Sequence, residues 1–460
     1  MLGNRFRGFS MALVRNEAKG NDMVGFSDPA VSRRAMLGLG LGIAAAGVAG
    51  CSRFGGGSTS ADGSTTLNMI WWGDAERAKS TQAMLDVFKK KNSGISFKTE
   101  YQDSGPYKDK MATRFASGDV PDLCNQRRDS IREYADRGAL LDLNQHLDAL
   151  NTKDIPDSVR KIGQVGDKMY GIPAGLNAVG IVINKQLAGK YGVEIPDGDT
   201  WSWDDLWAFS RKITKASNKK VYGTDVDFAT IQNLVVFVRQ TGEELYNEDG
   251  SFGASEKTLT DWFSMSVSER KAGGLAPAGF LDASGSAAEQ DGLTKKVLAS
   301  QVIPTNNLKA ETDSVGSELQ LNRMPGETQG ARRGMSIDTS MYWSIAQKSE
   351  HTDDALKVLD FIVNDVDGNK AVGPTRGAPM SSKVAEAVYA DLGPEDKASV
   401  DYISGLSKET LPESRPDPVG GSAVQDACTS IATEVMFGRM KPADAAKQLI
   451  SKANEALGKK

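Results

Sequence analysis

Residues 67–124 read LNMIWWGDAERAKSTQAMLDVFKKKNSGISFKTEYQDSGPYKDKMATRFASGDVPDLC. Leu67 to Trp72 is a short, mostly apolar run and reads as a buried strand. Lys79 to Asn92 follows with Met84, Leu85 and Phe88 at helical spacing, and its lysine-rich end suits the negative pole of a helix dipole. Ile95 to Thr99 alternates as a second strand. Asp109 to Ser117 reads as a helix, with Met111 and Phe115 four residues apart, and Val120 to Cys124 leads into a third strand. The order β-α-β-α-β predicts an α/β fold with a parallel sheet and helices on its faces. Ligands of such sheets bind beyond the carboxyl ends of the strands. That directs attention to three loops: Trp72 to Arg77, Tyr101 to Tyr107, and Asn125 to Ser130.

Further along, Gly171-Ile172-Pro173 and Val179 to Asn184 read as a turn and an extended run. Ser202 can cap a helix, with Asp205 reaching back to it, and Leu206, Phe209 and Ile213 share one face. Trp201, Trp203 and Trp207 flank this helix and are assigned to packing. Thr352 is expected to cap a helix carrying Ala355, Leu359 and Ile362. Pro442 opens the last helix, where Ala446, Leu449, Ile450, Ala453 and Leu457 form a stripe.

Upstream of the body, residues 31–51 read VSRRAMLGLGLGIAAAGVAGC. The pair Arg33-Arg34 before a short Gly/Ala/Leu/Val stretch suits a twin-arginine export signal. Val48-Ala49-Gly50-Cys51 matches a lipobox, in which the Cys51 thiol takes the lipid. We therefore expect residues 1–50 to be a signal peptide and residues 51–66 a lipidated cysteine with a flexible, Gly/Ser-rich tether. The protein would then be exported and held at the outer face of the cytoplasmic membrane. The glycines at 38, 40 and 42 lie inside this signal, so they carry no dinucleotide reading. Cys124 and Cys428 are expected to be free, buried thiols.

Composition narrows the chemistry. The chain is 39% hydrophobic and 25% charged, which excludes wholesale disorder. Its net charge is −5, and the signal is positive, so the rest of the chain is more acidic still and unsuited to nucleic acid. The two histidines, His146 and His351, lack metal-ligand spacing, and neither GxSxG nor GxxxxGK[ST] occurs. The SxxK matches at Ser217 and Ser268 lack accompanying motifs, and Asp365-Val366-Asp367-Gly368 lacks the full calcium-loop spacing. No enzyme activity, cofactor or metal site is expected.

Several segments together resemble the family 1 extracellular solute-binding proteins of ATP-binding-cassette importers. They are LNMIWWGD (67–74), FASGDVPDLCNQRRDSIREYADRGALLDL (115–143) and DKMYGIPAGLNAVGIVINKQLAGKYGVEIPDGDTWSWDDL (167–206). SEHTDDALKVLDFIV (349–363) with the following RGAP, and EVMFGRMKPADAAKQLISKANEAL (434–457), complete the set. The resemblance implies a two-lobed, type II periplasmic-binding-protein-like fold with a ligand cleft between the lobes. It places the crossings near Asn177-Ala178, near Thr305-Asn306 and soon after Asn364. Lobe one would be 67–177 plus 306–365, and lobe two 178–305 plus 366–460. The implied partners are a carbohydrate and the permease subunits, with the receptor acting as a monomer that closes on its ligand.

By the same resemblance, Asp74, Gln126, Asp129 and Asn177 are ligand contacts. Asn306 is assigned to the site as well, although relatives often place a stacking aromatic there, and Ser130 stands where a relative has arginine. From loop position alone we add Trp72, Arg77, Tyr107, Tyr342, Trp343 and Arg376. Sugars suit such a set, because aromatic rings stack on the C–H face of a pyranose and polar groups bind its hydroxyls. Trp71 and Trp72 point to opposite faces of their strand, and Trp72 is assigned to the ligand side. Arg127-Arg128 reads as a structural charge pair. The alternatives are a non-sugar solute such as a polyol phosphate and, more remotely, a surface enzyme acting on polysaccharide. On this assignment Trp343→Ala and Asp129→Ala would lower affinity without unfolding the protein.

Overall fold

In the computed structural model, residues 58–59, 64–280, 292–339 and 341–458 are described. The export signal, Arg33-Arg34, Cys51 and most of the tether lie outside them.

The opening strand runs Thr65–Trp72 and is buried on both faces, as central parallel strands are. Leu67, Met69 and Trp71 enter the main core on one side, whereas Ile70 packs with Tyr107, Met111 and Cys124 on the other. The next helix, Ala75–Lys91, begins four residues earlier than its apolar spacing indicates, because the Asp74 carboxylate accepts from the Arg77 N–H at 2.7 Å and caps it. Met84, Leu85 and Phe88 form its buried stripe. Strand Ile95–Gln102 and helix Ser104–Ser117 follow, the helix ending at Gly118 in the left-handed region.

The first sheet has the spatial order Ile95–Gln102, Thr65–Trp72, Leu123–Arg127, Met341–Ile345, Ile172–Pro173. The first three strands are parallel, and Met341–Ile345 runs antiparallel to both its neighbours. The third strand differs from expectation. It covers Leu123–Arg127, so Asn125 and Gln126 are buried strand residues rather than loop.

A second, three-stranded antiparallel sheet has the order Leu319–Asn322, Val179–Asn184, Ser300–Pro304. Around it the helices carry an aromatic core. Fully buried Trp262 lies 4.3 Å from Phe228 and 5.3 Å from Phe237 between ring centroids. Trp201 and Trp207 are buried, and Trp203 stacks on Trp207. The helix Trp203–Ala216 starts with the expected capping box, Ser202 and Asp205 bonding each other's backbone N–H. Thr352 is the first residue of its helix rather than the cap, which is His351. Helix Pro442–Ala456 buries Ala446, Leu449 and Ala453, and packs on Glu256–Ala272.

Two crossings differ from the expected boundaries. The chain leaves the first sheet between Pro173 and Val179, close to Asn177. Its return is not near Thr305-Asn306. Leu319–Asn322 pairs with Val179–Asn184, so the chain re-enters the first sheet only between Asn322 and Met341. This short strand is half polar and sits in a long polar segment, which hides it from a hydropathy reading. The final passage is also later than Asn364. Helix Val366–Val372 still packs on Ala75–Lys91, and helix Pro394–Ser407 packs on the second body, through Leu308–Val315. Near these passages the backbone is stitched together: Leu176 and Ala378 exchange hydrogen bonds of 2.7 and 2.9 Å, and Asn177 and Asp338 exchange bonds of 2.8 and 2.7 Å.

Cys124 and Cys428 are free and buried, and burial pushes each thiol up to about 12. Because the thiolate is the reactive form, neither should react with a disulfide thiol reagent at pH 8 in the folded Cys51→Ser protein. Both should react after unfolding in urea. Rapid reaction of either one in the folded state would contradict the packing.

Candidate functional site

The loops at the carboxyl ends of Thr65–Trp72 and Leu123–Arg127, the crossing segments, and loops of the second body enclose a cavity of about 1460 Å³. Its wall carries the aromatic residues Trp72, Phe228 and Tyr246. Phe228 is held by Trp207 and Trp262 behind it.

Five of the residues expected to bind ligand lie on this wall: Trp72, Arg77, Asp129, Asn177 and Asn306. Trp72 ends its strand on the face opposite to buried Trp71. The Arg77 guanidinium lies over the Trp72 ring, 5.4 Å from its centroid. Gly73, at φ +145°, makes that possible, because a Cβ there would fall 2.5 Å from Arg77 Cδ. Arg77 donates to the Thr375 carbonyl at 3.3 Å, and burial lowers its affinity for the proton, an effect that Asp74 partly opposes. Asp129 pairs with Arg127 at 3.0 Å. Asn177 donates its Nδ2 to the Arg376 carbonyl at 3.0 Å, and Asn306 donates to Asn307 Oδ1 at 3.2 Å, which orients both amides.

Several polar atoms on the wall have no hydrogen-bond partner among the described residues. The donors are Trp72 Nε1 and the Nε atoms of Arg77, Arg132 and Arg270, the acceptors are Asn177 Oδ1, Gln301 Oε1 and Asn306 Oδ1, and the Tyr246 hydroxyl can do both. Buried polar atoms are normally satisfied, so an unpaired set of both kinds at one cavity marks a place where a ligand would satisfy them.

Six expected residues lie elsewhere. Asp74 is exposed and spent on its helix cap. Tyr107 is buried and donates its hydroxyl to the Asn125 carbonyl at 2.7 Å. Gln126 is buried in its strand beside Cys124 Sγ. Tyr342 and Trp343 are core residues at 0% and 1% exposure, because their strand is flanked on both sides within the sheet. Trp343 packs edge-on against Trp71 at 6.4 Å. Arg376 is buried, with its guanidinium 5.3 Å from the Trp343 ring centroid and donating to Thr81 Oγ1 at 2.7 Å. Burial and the neighbouring Arg77 push it down to about 9.

The sequence reading assigned Arg127-Arg128 to a structural charge pair but missed the partners that make a charged frame of the cavity. Arg128 donates to Asp417 Oδ1 at 2.9 Å and Ser414 Oγ at 2.6 Å, and pairs with Asp338. It thus ties the loop after the third strand to a crossing segment and to the irregular run 412–418. Burial holds the Asp417 carboxyl above its ordinary value while Arg128 pulls it down. Arg239 pairs with Glu244 at 3.0 Å and donates to Ser336 Oγ at 3.0 Å. The one available signal was a polar, proline-punctuated run, Pro412 to Pro418, too short and aperiodic to be an element. Among the described residues no group of three or more His, Cys, Asp or Glu could hold a metal ion.

A cavity framed by two α/β bodies that the chain joins by repeated passages defines a binding protein of the two-lobed class. The chain belongs to the bacterial extracellular solute-binding proteins, whose family model matches residues 72–367. Among solved structures, it is similar to an extracellular solute-binding protein family 1 member from Alicyclobacillus acidocaldarius, at 27% identity and a TM-score of 0.69, covering 86% of this chain and 98% of that one. It shares its fold with the ABC substrate-binding protein Lmo0181 from Listeria monocytogenes, solved in complex with cycloalternan, at 21% identity and a TM-score of 0.74, covering 86% and 99%. It is also 27% identical over 173 residues to an uncharacterised lipoprotein in the oleD 5' region of Streptomyces antibioticus, a match that spans 36% of this chain and 37% of that protein.

Proposed function

We propose that this protein is the lipid-anchored receptor of an ABC importer, that it captures an oligosaccharide in the cavity by closure of its two bodies, and that it delivers the sugar to the permease without chemical change. One observation carries the sugar reading: aromatic surface and unpaired donors and acceptors share one cavity wall. Each sugar hydroxyl both donates and accepts, so it can satisfy Trp72 Nε1 and Asn177 Oδ1 alike. An acceptor-only anion such as a phosphate would not suit the amide oxygens of Asn177 and Asn306, which need a donor, so a hydroxyl-bearing part of the ligand is assigned to those positions.

Size supports an oligomer. Small-ligand pockets usually span about 300–1000 Å³. At about 1460 Å³ the cavity has room beyond one pyranose. The lipoprotein relative and the lipobox at Cys51 support the anchor. Contacts from both bodies to one ligand would stabilise a closed arrangement over an open one.

Thermal-shift screening against a panel of oligosaccharides tests the reading. A ligand at about 100 times its Kd adds about 2.7 kcal/mol to the native state and raises the melting temperature. Trp72→Ala should then weaken the selected sugar about 10- to 50-fold through lost stacking and burial, without changing the melting temperature of the free protein by more than a few degrees. A panel in which no sugar stabilises the protein would refute the carbohydrate assignment. Hydrolysis of the bound glycan would refute the receptor.

A further inference from the structure

We infer that the ligand carries a carboxylate, as a uronic acid sugar does, and that Arg77 receives it. This rests on the receptor reading above and sharpens its substrate class. What counts is local pairing, because the wall as a whole carries as many carboxylates as arginines. Eight arginines line it, and five of them, at 127, 128, 239, 332 and 415, have a carboxylate within 3.0 Å. The other three are Arg77, Arg132 and Arg270. Arg270 donates to the Ala276 carbonyl and has Asp225 as a nearby charge, and of the three only Arg77 lies over an aromatic ring of the wall among the described residues. Arg77 has none at ion-pair distance among the described residues, although it is half-buried and fixed.

Three features show that Arg77 is built into the wall rather than left loose on it. Its guanidinium lies over Trp72, Gly73 opens the space for its stem, and the Thr375 carbonyl holds one Nη. Its Nε has no hydrogen-bond partner among the described residues. Behind it sits Arg376, 4% exposed, whose guanidinium donates to neutral groups among the described residues: Thr81 Oγ1, Asn125 Oδ1 and Met341 Sδ. The nearby carboxylate, Asp74, is exposed and already accepts from the Arg77 backbone N–H. Two guanidiniums therefore share one solvated counter-charge, and a half-buried cation with a free Nε borders the cavity beside an aromatic ring. Such a group discriminates between ligands strongly. Hydrogen bonds to ionised partners are about twice as strong as neutral ones, and arginine binds carboxylates with both edges of its planar fork. Stacking on Trp72 by the same sugar residue would place its ring next to that fork.

The test uses isothermal titration of the full chain with α-1,4-linked trigalacturonate, a β-1,4-linked glucuronate trisaccharide, the carboxyl-reduced neutral form of each, and glycerol 3-phosphate. At least one uronate should bind about 10- to 100-fold more tightly than its own reduced form. Arg77→Gln should bring that ratio to about 3 or less, because the acidic form loses more affinity than its reduced form does. Arg77→Lys should retain part of it, since the charge stays but the fork is lost. The ratio in the unmutated protein is decisive even if the variant folds poorly. Equal affinity for acidic and reduced sugars would overturn the inference and leave the receptor reading standing. Binding of glycerol 3-phosphate with no sugar binding, or no binding by any member of the set or of the neutral panel, would overturn both.

Discussion

Replacing Trp343 by alanine is expected to lower the stability of the protein by about 3–5 kcal/mol, the usual cost of removing a large aromatic from a core. The ring is 1% exposed, sits in a strand hydrogen-bonded on both sides, packs edge-on against Trp71, and carries the Arg376 guanidinium on its face. Truncation opens a void between the tryptophans and leaves a buried cation without its π partner. Urea unfolding followed by far-ultraviolet circular dichroism would read the loss as a lower midpoint at similar slope. The opposite result, normal stability with weakened ligand binding, would return Trp343 to the cleft.

Arg128→Ala carries the second large effect. Arg128 bridges the loop after Leu123–Arg127 to Asp338 and Asp417, and its side chain is 20% exposed. Removing it leaves two partly buried carboxylates facing one another. Breaking such a pair from one side costs about 3–5 kcal/mol when fully buried, and partial exposure brings the expectation to about 2–3 kcal/mol. The pH dependence has a definite sign. Burial already holds Asp417 above its unfolded value, and the arginine opposes that rise. Without Arg128 the folded-state value climbs further, so the folded state binds more protons than the unfolded one above pH 4. The variant should therefore lose stability as pH rises through that higher value and recover toward the native protein near pH 4–5. Asp417→Asn in the same chain should remove most of this dependence. A deficit that is flat from pH 4 to 8 would show that the arginine acts through packing alone.

How far the sequence carried is best seen at individual strands. The alternation rule separated Trp71 from Trp72, and the structure places the first in the core and the second on the cavity wall. Apolarity marked the start of the third strand but stopped at Cys124, because Asn125 and Gln126 are polar. They are buried all the same, with Asn125 Nδ2 donating to the Tyr342 carbonyl at 3.2 Å. A hydropathy reading cannot foresee a polar residue satisfied by a strand more than 200 positions away. The same separation hid the nature of Tyr342-Trp343. Nothing local reveals that their strand is inserted between two others. On the second body's side of the cavity, Phe228, Tyr246 and Asp417 come from segments without period, so their convergence exists only in three dimensions.

The reciprocal backbone bonds at Leu176–Ala378 and Asn177–Asp338 have a mechanical consequence. Neighbouring passages laced in this way flex as one leaf. A leaf of extended chain bends and twists cheaply but resists shear, since sliding would break its rungs. On the proposed closure the two bodies would swing about a common axis while the amides at 176, 177, 338 and 378 stay shielded from exchange with solvent.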